Sequence, residues 1–99
     1  MGRLESKFQS DLKAKIKQMF PGCYCEKWEV KQGIPDLVIL FPDWRWATLE
    51  NKKSKNAPKQ PNQEYYVNDM NSKSFSRFVY PENEQEVLDA LQQTFGSGR

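Results

Sequence analysis

The stretch Gly33-Ile34-Pro35-Asp36-Leu37-Val38-Ile39-Leu40-Phe41-Pro42-Asp43-Trp44-Arg45-Trp46-Ala47-Thr48-Leu49-Glu50-Asn51-Lys52 decides the fold. It contains the longest apolar run of the chain, the five residues Leu37 to Phe41, which suit a central strand covered on both faces. Gly33 to Pro35 interrupts the chain before that run, and Pro42-Asp43-Trp44-Arg45 has turn chemistry after it. Trp46 to Lys52 then returns as the second arm of a hairpin. Residues two apart on a strand share a face, so Glu50 and Lys52 project together. The hairpin brings them back to the end where Pro35-Asp36 begins. Two carboxylates and an ammonium thus meet at one open strand end. Neighbouring carboxylates repel unless a cation lies between them, and a divalent metal with oxygen ligands meets that need.

Strand parity sets a condition on this site. A four-residue turn, Pro42 to Arg45, pairs Phe41 with Trp46 and puts Asp36 opposite Asn51. Asp36 and Glu50 would then lie on opposite sheet faces. A shared ion therefore requires an odd-length turn or a one-residue bulge. A three-residue turn with a bulge is a common hairpin solution, and Pro35, which has no N–H, favours an irregularity near Asp36.

Outward from the hairpin the chain reads plainly. Leu4, Phe8, Leu12, Ile16 and Phe20 recur every fourth residue as the apolar face of a helix that Pro21-Gly22 stops. Cys23 to Val30 alternates as a strand, with Tyr24, Trp28 and Val30 on one face. Lys53 to Pro61 is a polar loop with two prolines. A second helix runs from Gln60 or Asn62 to Met70, with Tyr66, Val67 and Met70 inward. Phe75 and Phe78 to Tyr80 form a fourth strand. Asn83 caps a last helix whose apolar positions are Val87, Leu88, Leu91 and Phe95. The fold class is α/β, in the order α-β-β-β-α-β-α. One domain over residues 1–95 and a flexible tail over 96–99 account for the 99 residues.

Composition excludes much chemistry. The chain has no histidine, so neither a serine–histidine nor a cysteine–histidine nucleophile can be built. Its two cysteines, Cys23 and Cys25, cannot complete a zinc site without histidine and are expected to be reduced, half-buried thiols in a cytoplasmic protein. No apolar stretch approaches the roughly 20 residues of a spanning helix, and none resembles a secretory leader. The net charge is only +2 but unevenly spread. Lysines crowd the first helix and the loop at Lys52, Lys53, Lys55 and Lys59, whereas Glu82, Glu84, Glu86 and Asp89 mark the last helix. That asymmetry suits a polyanion bound on one side.

Pro35-Asp36, thirteen intervening residues, then Glu50-Asn51-Lys52 resembles the PD-(D/E)XK nuclease motif. Gly33 to Leu37 followed by Ala47 to Lys52 is similar to the VRR-NUC group and to small phage junction-resolving endonucleases. Gln63-Glu64-Tyr65-Tyr66 resembles the Gln-x-x-Tyr pattern of some branches. The resemblance spans residues 3 to 95. It implies a minimal restriction-endonuclease-like core, with a mixed four-stranded sheet flanked by helices. It also implies a DNA endonuclease that uses Mg²⁺, replaceable by Mn²⁺, and no organic cofactor. Asp36 and Glu50 would hold the metal with the main-chain carbonyl of Asn51, joined by Glu5 from the first helix. Lys52 would be the catalytic lysine, and Gln63 would face the site or the scissile phosphate. Family members usually carry an apolar residue where Asn51 stands, so its side chain needs a hydrogen-bond partner if it faces the helix layer. Lys53, Lys55 and Lys59 are the expected phosphate contacts. The expected substrate is a four-way junction or other branched DNA, cut by a homodimer, with Trp44 and Trp46 near its hairpin tip. A catalytically silent nucleic-acid-binding or assembly protein on the same fold, and a sequence-specific restriction-type nuclease, are the alternatives.

Overall fold

The computed structural model describes residues 2–96, and side chains from residue 6 onward. The proposed role of Glu5 and the tail at residues 97–99 lie outside the described residues. Helix α1 spans Gly2–Met19, followed by strands β1 (Tyr24–Lys27), β2 (Leu37–Leu40) and β3 (Trp46–Asn51). Helix α2 (Gln63–Lys73), strand β4 (Ser76–Val79), a 3₁₀ turn at Pro81–Asn83 and helix α3 (Glu84–Phe95) complete the order. The sheet order is β1-β2-β3-β4, antiparallel across the first three strands and parallel between β3 and β4. Helix α2 makes the crossover that a parallel pair requires. The fold is the mixed α/β core expected from the sequence, with shorter outer strands.

The two faces of the sheet differ. On one, Cys25, Leu37, Ile39, Ala47, Leu49 and Val79 are fully buried against Leu12 and Ile16 of α1 and Leu91 of α3. Phe41 stacks on Phe95 at 4.3 Å between ring centres and meets Phe20 edge-on at 5.1 Å, closing the core at its hairpin end. On the other face lie Val38 and Leu40 of β2 and Trp46, Thr48 and Glu50 of β3, by alternation. Helix α2 covers this face over β3 and β4. There Thr48 donates its hydroxyl to Ser76 at 2.8 Å. Over β1 and β2 the face is open, with Tyr24 66% and Leu40 47% exposed.

Strand β1 is confined to Tyr24–Lys27, shorter than the expected Cys23 to Val30. Its inward residue is Cys25, and Tyr24 and Val30 face solvent. A small thiol fits under α1 where a large ring does not. The cysteines are free thiols, one buried and one half-buried. Burial pushes the Cys25 thiol up to about 12, and that of Cys23 in the same direction. Asn83 precedes α3 without capping it through its side chain. Instead its side chain accepts from Tyr80 N–H at 2.8 Å and donates to Phe78 C=O at 3.0 Å, tying the 3₁₀ turn to β4. No helix among the described residues is long and apolar enough to cross a membrane.

Candidate metal centre

The hairpin turn resolves the parity condition. Leu40 pairs with Trp46, and Phe41 N–H donates to Arg45 C=O at 2.9 Å, so the loop is the three residues Pro42, Asp43 and Trp44. Trp44 N–H donates back to Phe41 C=O at 3.2 Å, and Trp44 adopts φ 80°. That left-handed residue after a tight turn is the bulged three-residue hairpin. Arg45, expected in the turn, belongs to the ladder, and Asp43 accepts from its guanidinium at 2.7 Å. This hydrogen bond holds the exposed Asp43 carboxyl below its ordinary value.

The odd count carries down the hairpin. Leu37 pairs with Leu49, and the same register continued by one residue sets Asp36 opposite Glu50. Both line one cleft of about 400 Å³, together with Gln63, Trp28 and Lys31. The backbone of Asp36 is held from the residue after β1, where Trp28 N–H donates to its carbonyl at 2.8 Å. Glu50 is 5% exposed and accepts from Gln63 Nε2 at 2.9 Å. Gln63 Oε1 accepts from Gln60 N–H at 2.7 Å, so the buried amide joins the loop to Glu50 and its orientation follows from its partners. The start of α2 is brought here by a close backbone approach. Gly33, at φ 95°, lies where a Cβ would meet Asn62 Cβ at 2.6 Å, and Asn62 precedes Gln63 at φ 72°.

Asn51 occupies a special position. The ladder pair following Leu37–Leu49 by two residues would be Pro35 with Asn51, and Pro35 has no N–H to offer the Asn51 carbonyl. In an antiparallel strand a residue's N–H and C=O point to the same neighbour. Asn51 N–H donates to Asp36 Oδ1 at 3.1 Å, so its carbonyl is aimed to the same side. Its side chain adds a second bond, Nδ2 to the same Asp36 oxygen at 3.0 Å. The partner required at this polar position is therefore found for the amide nitrogen. Asn51 Oδ1, buried in a residue 1% exposed, has no hydrogen-bond partner among the described residues. Such an orphan costs about 1–3 kcal/mol.

Two carboxylates and a main-chain carbonyl are hard oxygen donors, the set that Mg²⁺ takes alongside several waters. Among the described residues no group of three acidic, histidine or cysteine side chains could hold a metal. The Asn51 carbonyl, on the side of β3 that faces Asp36, is a further oxygen beside these two carboxylates.

Lys52 differs from expectation. It is 9% exposed rather than open at a strand end, and its ammonium donates to Pro58 C=O at 3.0 Å in the following loop. The loop folds back over the strand end, which a polar composition did not foretell. Lys59 lies over the Phe78 ring at 4.8 Å, and Phe78 pairs with Glu50, so this lysine sits one strand from the carboxylate. Lys53 lines a separate cleft with Lys7 and Phe8, and Lys55 is exposed. The sequence reasoning missed Lys31, which lines the carboxylate cleft and lies 5.8 Å from the Tyr66 ring centre. Its only signal was a cation just before Gly33.

No family model and no curated protein matches the chain. A solved structure described as "VRR_NUC domain" superposes with a TM-score of 0.68 at 18% identity, covering 87% of this chain and 95% of that one. The chain shares the fold of that domain.

Proposed function

We propose that the protein is a metal-dependent DNA endonuclease of the PD-(D/E)XK type. The observation that carries this reading is the placement of Asp36 and Glu50 on one face of the hairpin, lining one cleft. Asp36, Glu50 and the Asn51 carbonyl would hold Mg²⁺, with Mn²⁺ able to replace it. When bound there, the ion would supply an activated water and neutralise charge on the phosphodiester. Gln63 holds Glu50 in place through its 2.9 Å bond. Lys52 exchanges Pro58 for a phosphate oxygen, placing its charge where negative charge develops in the transition state. Lys53, Lys55 and Lys59 hold the flanking backbone.

The preferred substrate is branched DNA such as a four-way junction, as the resemblance to small phage junction-resolving endonucleases implies. Symmetric cutting of such a substrate requires two sites, hence a homodimer, the commonest closed assembly. The open apolar face around Tyr24, Leu40 and Trp46 and the bare Trp44 support pairing of copies. Action in the cytoplasm, that of the host if phage-encoded, accords with reduced thiols.

The test is incubation of the protein with plasmid, linear duplex, flap and four-way junction DNA, with and without Mg²⁺, beside Lys52→Ala. Metal-dependent cutting with preference for the junction, lost in the variant, is expected. Undiminished turnover by Lys52→Ala overturns this site. A metal-independent or absent activity overturns the enzyme.

A further inference from the structure

We infer that the Asn51 side chain is a positioning residue that fixes the rotation of the Asp36 carboxylate through paired N–H donors on one oxygen. This rests on the proposed metal-dependent reading of the same cleft.

Three observations carry it. The main-chain and side-chain N–H groups of Asn51 converge on Asp36 Oδ1 at 3.1 and 3.0 Å. The side-chain amide cannot serve if reversed, because Oδ1 would then meet a carboxylate oxygen, acceptor against acceptor. Second, the bond is kept at a cost, since Asn51 Oδ1 is buried without a partner. An apolar side chain of similar shape would avoid that cost altogether. Third, the Asp36 backbone is already anchored by Trp28 N–H at 2.8 Å. The two bonds from Asn51 act on the carboxyl group itself, and the one from Nδ2 adds to its hold on rotation. With one oxygen tied by two donors, the direction in which the carboxylate meets a cation shared with Glu50 is set. Partners that orient metal-binding side chains typically change metal affinity 10–100-fold when removed.

The experiment measures Ca²⁺ and Mg²⁺ affinity by calorimetry, without DNA, for the wild type, Asn51→Leu, Asp36→Asn and the double variant. The metal dissociation constant of Asn51→Leu is expected to rise about 10-fold or more. Its melting temperature in metal-free buffer is expected to stay level or rise. Added to Asp36→Asn, the same change is expected to cost nothing further, because Asn51 acts through Asp36. Unchanged affinity in Asn51→Leu, with binding lost in Asp36→Asn, overturns this inference and leaves the metal site standing. No Asp36-dependent binding in the wild type overturns the metal site itself. Asn51→Val repeats the measurement with a smaller side chain. If neither variant folds without metal, Asn51 is a structural residue and the inference is wrong.

Discussion

Trp44→Gly should make the protein more stable. Trp44 sits at φ 80° on the hairpin tip and is 96% exposed. The left-handed conformation costs an L-residue about 1–2 kcal/mol, and a bulky ring has no local compensation there. Glycine adopts it without strain and returns roughly 0.5–1 kcal/mol of that gain as lost backbone freedom. The ring, bare of contacts, takes almost nothing with it. The net is a stabilisation of about 0.5–1 kcal/mol, or about 2–8 °C in a domain of this size. Thermal and urea denaturation at low protein concentration read it. Trp44→Ala keeps the strained backbone while removing the ring, and should fall within about 0.5 kcal/mol of the wild type. If Trp44→Gly melts at or below the wild-type temperature, the strain argument is wrong. If Trp44→Ala alone loses more than about 1 kcal/mol, the ring is packed and its exposure is misjudged. Light scattering on the same variants reads separately whether the indole joins copies. A strained residue without contacts points to a role outside its own chain.

Three further outcomes follow from particular contacts. Gly33→Ala places a Cβ 2.6 Å from Asn62 Cβ and 3.0 Å from the Pro61 carbonyl, at φ 95°; we expect a loss of about 1–3 kcal/mol, read by urea melts, and a weakened metal site because Gln63 follows Asn62. Neutralising Lys53, Lys55 and Lys59 together should flatten the salt dependence of DNA binding by up to about three units of slope, read by anisotropy at several salt concentrations; an unchanged slope means the loop faces away from DNA. The Cys25 thiol, pushed up to about 12 by burial, stays protonated in the fold while the unfolded chain ionises near 9. Its contribution is therefore full below pH 9 and is lost between pH 9 and 12, at most about 1.4 kcal/mol per pH unit. Cys25→Ala should remove that share of the alkaline slope in urea melts, and an identical slope in both proteins refutes the assignment.

The apolar patterns made most of the fold legible. Leu12 and Ile16 of α1, Leu37, Ile39 and Phe41 of the apolar run, and Val87, Leu88 and Leu91 of α3 all reach the core, whereas Val38 and Leu40 lie on a face that is open rather than covered as expected. Periodicity reports burial, and burial is what these positions do. The turn was less legible. Its left-handed residue is tryptophan rather than glycine or asparagine, so no local signal marked a three-residue loop. Which face of β1 is buried was not legible, because both faces of this edge strand carry large residues and only the covering helix decides between them. Lys31 and the Lys52–Pro58 contact depend on segments brought together from a distance, which no local window contains. The pairing of Asp36 with Asn51 was foreseeable only as a need, since the sequence states that a polar side chain is there and not which atom answers it.

Parity makes the turn and the candidate metal centre one problem. Asp36 lies six residues before the loop and Glu50 six after it, with Trp44 supplying the third loop residue. A loop one residue longer or shorter would turn Asp36 toward the layer of α1 and α3, among side chains that are fully buried and apolar. It would also shift Pro35 away from Asn51. The missing N–H of Pro35 would then leave some other carbonyl unanswered, and the Asn51 carbonyl would gain a ladder partner. Three features that look separate in the sequence are therefore set by the same count: which face Asp36 takes, which carbonyl faces Pro35, and which amide reaches the carboxylate. The strain at Trp44 is the local expense of that count, borne at the tip where no packing is lost. A substitution there that relieves strain while keeping three residues should leave the cleft intact, whereas one inserted residue should abolish it without touching any member of the site.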